Sequence, residues 1–552
     1  MFSNKKKSVI KVVTVMLGIL ACALMLTACS GGSNAESNLE GDTVFEASGA
    51  KQTLHIVSGS ENKELEPLIE KFANEKKINV IMDYQGSLDI MRLLDQEVID
   101  YDAVWPASSL WVSVGDTRHR VKNLESTSTT PVVFGIKKSL AESLGFIGKD
   151  VAVNDILAAI KAGKLKFTMT SATQSNSGAS AYIGFIYALL NNPQTLTLEA
   201  LDDPTLQQNL RDLLSGVERS SGSSDWLKDL YLAGDYDSMV NYEALIISAN
   251  QTLEAEGKEP LYVIYPRDGL TIADSPLGFI SDNGQTDRNE SEQETAFLAF
   301  QEYIMSESVQ NEIQRTGRRT GYSGVSTANQ DIFRSDWGID TDRVISAMNM
   351  PKAEVLFKAL NLYQTNLKKP SATIYCLDFS GSMSGDGRDQ LVQALSQVMI
   401  DENAQTNFLQ ASTQEYNQYL LFDSKIIKQL EVTGNGIPLS QAYDQIASTP
   451  TGDSTNLYGT AIEAVKAIQT IDQNVYSPAI VLMTDGMNNG EYNFEDFKQF
   501  YESQNIDVPV FAILFGSADE KELEEIAELT HGRVFDGREN LIKAFQTVRG
   551  YN

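Results

Sequence analysis

Apolar positions along this chain switch repeatedly between a period of two and a period near 3.6. Leu54-His55-Ile56-Val57 reads as a short strand, 64–74 carries helical spacing, 78–84 returns to strand and 87–94 to helix. Asp102-Ala103-Val104-Trp105 and Pro131-Val132-Val133-Phe134-Gly135 add further strands. Beyond residue 371 the spacing predicts strands over 373–377, 419–423, 426–432, 479–483, 508–515 and 533–536. Helices are predicted over 388–399, 456–471, 495–503, 520–529 and 541–548. Strands that alternate with helices in this way imply α/β folding around parallel, doubly wound sheets in both regions.

With 552 residues the chain exceeds what one core can hold, and an apolar content of 42% favours folded domains over disorder. Composition divides it. Residues 30–51 are rich in Gly, Ser, Asn and Glu and read as a flexible tether. A first folded region then spans 52–364, the polar run Asn366-Leu367-Lys368-Lys369-Pro370 makes a short connection over 365–371, and a second folded region covers 372–552. The net charge of −30 disfavours nucleic acid and anionic lipid headgroups, both of which this surface would repel.

The first residues are a targeting segment. Lys5-Lys6-Lys7 and Lys11 precede an apolar stretch over 12–26, too short and too early for a spanning helix of the mature protein. Leu26-Thr27-Ala28-Cys29 resembles a bacterial lipoprotein lipobox. The resemblance implies a signal peptide over 1–28, cleavage before Cys29 and acylation of its thiol, hence lipid anchoring at the extracytoplasmic face of a bacterial membrane. Diacylation would supply two chains, enough for stable anchoring. Cys22 leaves with the signal and Cys376 sits in an apolar strand, so the mature domains have no pair for a disulfide.

The most specific chemistry follows that strand. Asp378-Phe379-Ser380-Gly381-Ser382 places a carboxylate and two hydroxyls in one loop, Thr455 lies just before a helix, and Asp485 follows the apolar run Ile480-Val481-Leu482-Met483-Thr484. All five are hard oxygen donors, suited to a small divalent ion such as Mg²⁺. Two carboxylates brought together would repel, and one would keep its proton unless a cation stood between them. In doubly wound sheets ligands sit beyond the carboxyl ends of the strands, where strand order reverses, and both Asp378 and Asp485 follow strands directly.

This segment, from Ala372 to Asn552, resembles the von Willebrand factor A family, whose metal-ion-dependent adhesion site combines D-x-S-x-S with a distant Thr and a distant Asp. The resemblance implies a Rossmann-like domain holding Mg²⁺, or Mn²⁺ or Ca²⁺, through Asp378, Ser380, Ser382, Thr455 and Asp485. It also implies a protein partner that offers an acidic residue to the ion. Residues 372–552 carry 10 Lys and Arg against 26 Asp and Glu, so such a partner would be met locally by the ion against a repulsive background. Slow, salt-sensitive association follows.

The segments Val57-Ser58-Gly59-Ser60, Tyr84-Gln85-Gly86-Ser87, Tyr101-Asp102-Ala103-Val104-Trp105, Met239-Val240-Asn241-Tyr242-Glu243 and Tyr265-Pro266-Arg267-Asp268-Gly269 occur in an order that resembles the type II periplasmic solute-binding fold. That resemblance implies two lobes around a cleft, with the chain returning to the first lobe after Tyr265, and a small-molecule ligand in the cleft. Ser58, Ser60 and Ser87 occupy loops after strands, and Ser175, Asn176 and Ser177 open an apolar helix whose N-terminus could receive an anion or serve merely as a capped end. Arg315, Arg318 and Arg319 read more simply as a solvated charged face than as an anion site.

Taken together, the residues indicate a membrane-anchored, extracytoplasmic adhesion or binding protein. The alternative is a solute receptor of an ABC-type transport system for a small oxyanion or similar solute. An enzyme is disfavoured: a phosphatase-type nucleophile at Asp378 would want a second Asp where Ser380 stands, and none of His55, His119 or His531 adjoins a nucleophile pattern in sequence.

Overall fold

The computed structural model describes residues 43–286, 288–321, 325–343 and 350–551. The segment read as a signal, Cys29 and residues 30–42 of the expected tether lie outside the described residues, while the tether's end is not free: Thr43–Phe45 forms an edge strand antiparallel to Ile78–Tyr84. Among the described residues no helix is long and apolar enough to cross a membrane.

Three six-stranded sheets organise the chain. In the first lobe, the strand Gln52–Ser58 lies between the parallel strands Ile78–Tyr84 and Ala103–Trp105. The doubly wound reading holds for these three strands but not for the whole sheet. Pro276–Ile280 enters antiparallel between Ala103–Trp105 and Val121–Ser126, because the chain reaches it only on its way back from the second lobe. The core here is aromatic, with Phe72, Trp105 and Phe300 packed edge to face. The second lobe is also a mixed sheet, built from Leu261–Ile264, Thr130–Lys137, Ser238–Tyr242, Phe167–Thr170 and Val217–Ser221. Its helix Asn176–Leu189 is buried from Asn176 to Ala188, which explains why its sequence is apolar all round rather than striped.

Residues 363–367 pack back into the second lobe: Leu367 joins its core, and the Tyr363 ring lies 5.2 Å from that of Tyr182 at a tilt. The third sheet then begins at Ser371. Its order is Ile426–Thr433, Tyr416–Phe422, Ser371–Asp378, Ser477–Thr484, Val510–Leu514, Arg533–Asp536, parallel except for the first, which is an antiparallel edge. In chain order within this sheet that is 3-2-1-4-5-6, so the order reverses between Ser371–Asp378 and Ser477–Thr484. Tyr375 and Leu377 point into a core shared with the helices Asp386–Met399 and Leu541–Tyr551. Cys376, on the alternate face, is fully buried, and burial pushes its thiol up out of the reactive range. Two helices, Asp401–Thr406 and Ile437–Ala447, were not predicted; the second starts at Ile437-Pro438 after two glycines, a sequence that reads as a turn.

The third sheet's domain is docked, not dangling. The Arg219 guanidinium meets Asp507 at 2.9 Å and donates to the His531 carbonyl at 2.9 Å, while the Tyr236 hydroxyl donates to the other Asp507 oxygen at 2.9 Å. Trp226 lies 5.0 Å from Tyr551, and Arg92 of the first lobe donates to the Asn407 carbonyl at 3.0 Å. Burial alone would raise the Asp507 carboxyl, but His531, Arg219 and Tyr236 outweigh it and hold the carboxyl well below the usual range. The stability this group contributes is therefore present above its unfolded value and drains away as pH falls below about 4. Asp507→Asn should lose less thermal stability than the parent between about pH 6 and pH 3. Parallel acid profiles of the two unfolding midpoints would refute that assignment.

Candidate functional site

Every residue of the strand Ser371–Asp378 is buried, and the strand delivers Asp378 to its carboxyl end at the reversal point of the sheet. Asp378 Oδ1 accepts from the Ser380 backbone N–H at 2.7 Å, and its Oδ2 accepts from the Thr484 hydroxyl at 2.6 Å. The Ser380 and Ser382 hydroxyls are 3.0 Å apart, and Ser382 donates to Asp485 Oδ1 at 2.7 Å. A continuous polar chain thus runs from Asp378 through Ser380 and Ser382 to Asp485. Thr455 Oγ1 and Ser382 Oγ lie 3.6 and 3.7 Å from the position a Cβ on Gly486 would occupy, so the third segment reaches the same place.

Backbone bonds lock the three loops together. Gly452 N–H donates to the Phe379 carbonyl at 2.7 Å and Gly381 N–H to the Asp453 carbonyl at 3.1 Å. Asn489 N–H reaches the Thr455 carbonyl at 2.7 Å. Gly516, at φ +55°, lets the loop after the next strand close on Asp485, where a Cβ would stand 2.9 Å from that of Asp485. Asp453 does not cap the following helix, as its position suggested. The helix starts at Leu457, whose N–H is taken by the Asn488 side chain at 3.1 Å.

The electrostatics are one-sided. Burial raises the Asp378 carboxyl against the hydrogen bonds of Thr484 and Ser380, and Asp485 raises it further; burial likewise raises Asp485 against its bond from Ser382. Among the described residues neither carboxylate has a Lys, Arg or His partner. Asp378, Ser380, Thr455 and Asp485 are buried while Ser382 is exposed, so the cluster opens to solvent on one side. The donors are all carboxylate and hydroxyl oxygens, and they lack a positive counter-charge. A divalent ion of the Mg²⁺ type fits both features. Thr484, which orients Asp378, was not singled out in the sequence, although its place between an apolar strand and an Asp is a usable signal.

The serines and asparagine read as cleft residues are largely engaged with one another. Ser58 Oγ lies 3.3 Å from the Trp105 carbonyl and accepts from Asn62 at 3.0 Å, and Ser87 Oγ accepts from the Ala107 N–H. Ser60 is partly exposed at the head of the short 3-10 helix Ser60–Leu65. Ser175 Oγ and Ser177 Oγ both bond Ser224 Oγ, at 3.0 and 2.8 Å. Asn176 bridges the lobes, accepting from Trp111 Nε1 at 2.7 Å and donating to the Tyr242 hydroxyl at 3.0 Å. Ser175 makes no side-chain cap. Arg318 and Arg319 are not a solvated face: both are buried, Arg318 against Glu64 at 3.3 Å and Arg319 against Glu243 through two bonds of 2.8 Å.

Comparison with known proteins follows the same division. Residues 54–319 match the bacterial extracellular solute-binding protein family, and residues 374–546 match the von Willebrand factor type A domain. No curated protein matches the chain. Among solved structures, the substrate-binding protein of an ABC transporter from Agrobacterium tumefaciens aligns at 15% identity over 58% of this chain and 98% of its own, with a TM-score of 0.39. The ferric binding protein from Campylobacter jejuni aligns at 13% over 56% and 98%, also at 0.39. A solute-binding protein from Thermotoga lettingae bound with α-D-tagatose aligns at 14% over 57% and 94%, again at 0.39. The chain therefore carries a bacterial extracellular solute-binding protein domain followed by a von Willebrand factor type A domain.

Proposed function

We propose that this protein is a lipid-anchored, extracytoplasmic binding protein that grips a protein partner through a divalent ion held by Asp378, Ser380, Ser382, Thr455 and Asp485. The observation that supports the reading is the hydrogen-bonded chain from Asp378 to Asp485, two raised carboxyls without a cationic neighbour among the described residues. A bound Mg²⁺, Mn²⁺ or Ca²⁺ would supply that missing charge and a coordination position for an outside oxygen. The chain's own groups do the rest. Ser380 N–H and Thr484 Oγ1 fix the orientation of Asp378, and the exposed side at Ser382 is where an acidic residue of the partner would arrive. Both domains are of kinds that bind rather than catalyse.

The test is attachment to immobilised candidate surface proteins with and without EDTA. Binding that chelator leaves unchanged contradicts the proposal. Because Thr484 acts through Asp378, Thr484→Val should lower Mg²⁺ affinity about 10- to 100-fold without unfolding the chain, as calorimetric titration would register. Equal affinity would remove Thr484 from the site.

A second reading, a receptor that hands a solute to a transporter, is favoured by the match of residues 54–319. Its expected ligand is a small oxyanion or similar solute in the cleft. Calorimetry with sulfate, molybdate, phosphate, sugars and alkylammonium ions addresses it, and silence across the whole panel would reduce the first domain to a scaffold.

A further inference from the structure

We propose that the cleft between the two lobes takes a small organic ammonium ion, seated against Glu61 and Asn62, rather than an oxyanion. The proposal rests on the receptor reading and narrows its ligand class. Glu61 and Asn62 stand in the turn Ser60–Leu65 that ends the first strand, and they are 7% and 0% exposed. Glu61 Oε1 and Asn62 Oδ1 are buried oxygens without a hydrogen-bond partner. The Asn62 amide nitrogen is already spent on Ser58 Oγ and the Trp105 carbonyl, so what the pair still offers is acceptors, which call for N–H donors.

The charges around them point the same way. Glu61 is faced by Arg318, by Asp225 of the second lobe and by Glu64, and it acts in turn on Tyr84 and Tyr242. Both cations of this neighbourhood are consumed. Arg318 lies 3.3 Å from Glu64 and donates to the Glu61 carbonyl, while Lys228 meets Asp225 at 2.8 Å, Asp229 at 3.7 Å and Glu64 at 3.9 Å. An arriving anion would face three carboxyls and two neutralised bases. The hydroxyls at Ser175 and Ser177, which could have received one, are committed to Ser224.

Burial pushes the Glu61 carboxyl up to about 7 against the pull of Arg318, with Asp225 and Glu64 adding to the rise. Near neutrality this group therefore carries a proton about half of the time. An ammonium ion that seats against the carboxylate releases that proton, so affinity rises with pH while the amine itself stays protonated.

The experiment is calorimetry on the full chain with n-butylammonium and 1,4-diaminobutane, and with sulfate and molybdate as contrasts. Amine binding should tighten about tenfold between pH 6 and pH 8, following the fraction of Glu61 that is ionised. At pH 7, titration in two buffers of different ionisation enthalpy should reveal release of about half a proton per ligand. That measurement needs no variant. Glu61→Gln should weaken the amine and abolish its pH dependence. Binding of sulfate or molybdate with none of either amine overturns the ligand class and leaves the receptor reading standing; silence with all four overturns both. Equal amine affinity in Glu61→Gln also overturns the assignment.

Discussion

Asp378→Ala is expected to lower divalent-ion affinity by at least about 100-fold and to abolish chelator-sensitive attachment to a partner. The size follows from how much converges on this one carboxylate. It sits at the end of a wholly buried strand, takes hydrogen bonds from Ser380 N–H and Thr484 Oγ1, and shares the cluster with the second carboxylate, Asp485. Removing it takes away half of the negative charge that would hold an ion and frees the Ser380 loop. The fold should survive, because without metal the Asp378 carboxyl is raised by burial and by Asp485 and is therefore a burden on the folded state rather than a support. Unfolding in EDTA separates the two effects: the variant should be as stable as the parent there, and less stable only when Mg²⁺ is present. Asp453→Ala, an exposed change two residues from Thr455, should leave both unaltered.

The largest stability effect is expected at the opposite side of the same domain. Arg549 and Glu415 form an ion pair of 2.5 Å with side chains 3% and 1% exposed, and Arg549 also donates to the Leu409 carbonyl. Burial alone would raise Glu415, but Arg549 and its hydrogen bonds bring the carboxyl below its ordinary value. Arg549→Met leaves Glu415, beside Tyr375, Tyr419 and Asn417, with only the buried Lys368 as a cationic neighbour, at a cost of about 3 kcal/mol, the low end for a broken buried pair. For a domain of this size that corresponds to a fall of about 10 °C in the unfolding midpoint. Adding Glu415→Gln should restore part of the loss, since a buried pair replaced as a unit costs less than one left half-made. A single variant that melts with the parent would show the pair to be solvated.

The two regions differed in how openly their sequences announced the structure. In the third sheet the central strands are short apolar runs and the two carboxylates stand at the ends of two of them, so Asp378 and Asp485 could be placed at the carboxyl ends before any coordinates. Period and position alone carried that. Thr484 escaped notice because a Thr at the end of a strand ordinarily packs, and its bond to Asp378 depends on a partner 106 positions away. The helix cap from Asn488 was hidden for the same reason. In the first two sheets the antiparallel entry of Pro276–Ile280 is a matter of path, which local spacing does not encode. The serines read as loop residues fall at element ends instead, Ser58 closing its strand and Ser60 and Ser87 opening helices, and their partners, like Ser224 for Ser175 and Ser177, come from other segments that local spacing does not reveal. Arg318 and Arg319 misled because their carboxylate partners, Glu64 and Glu243, are remote in sequence.

Crystals of the chain soaked in Mn²⁺ and measured near the manganese edge test the central claim most directly. The account predicts one strong anomalous peak in contact with the Ser380 and Ser382 hydroxyls and within direct or water-bridged reach of Asp378, Thr455 and Asp485. A map with no peak in that loop cluster, at a Mn²⁺ concentration that saturates the protein in solution, would contradict it.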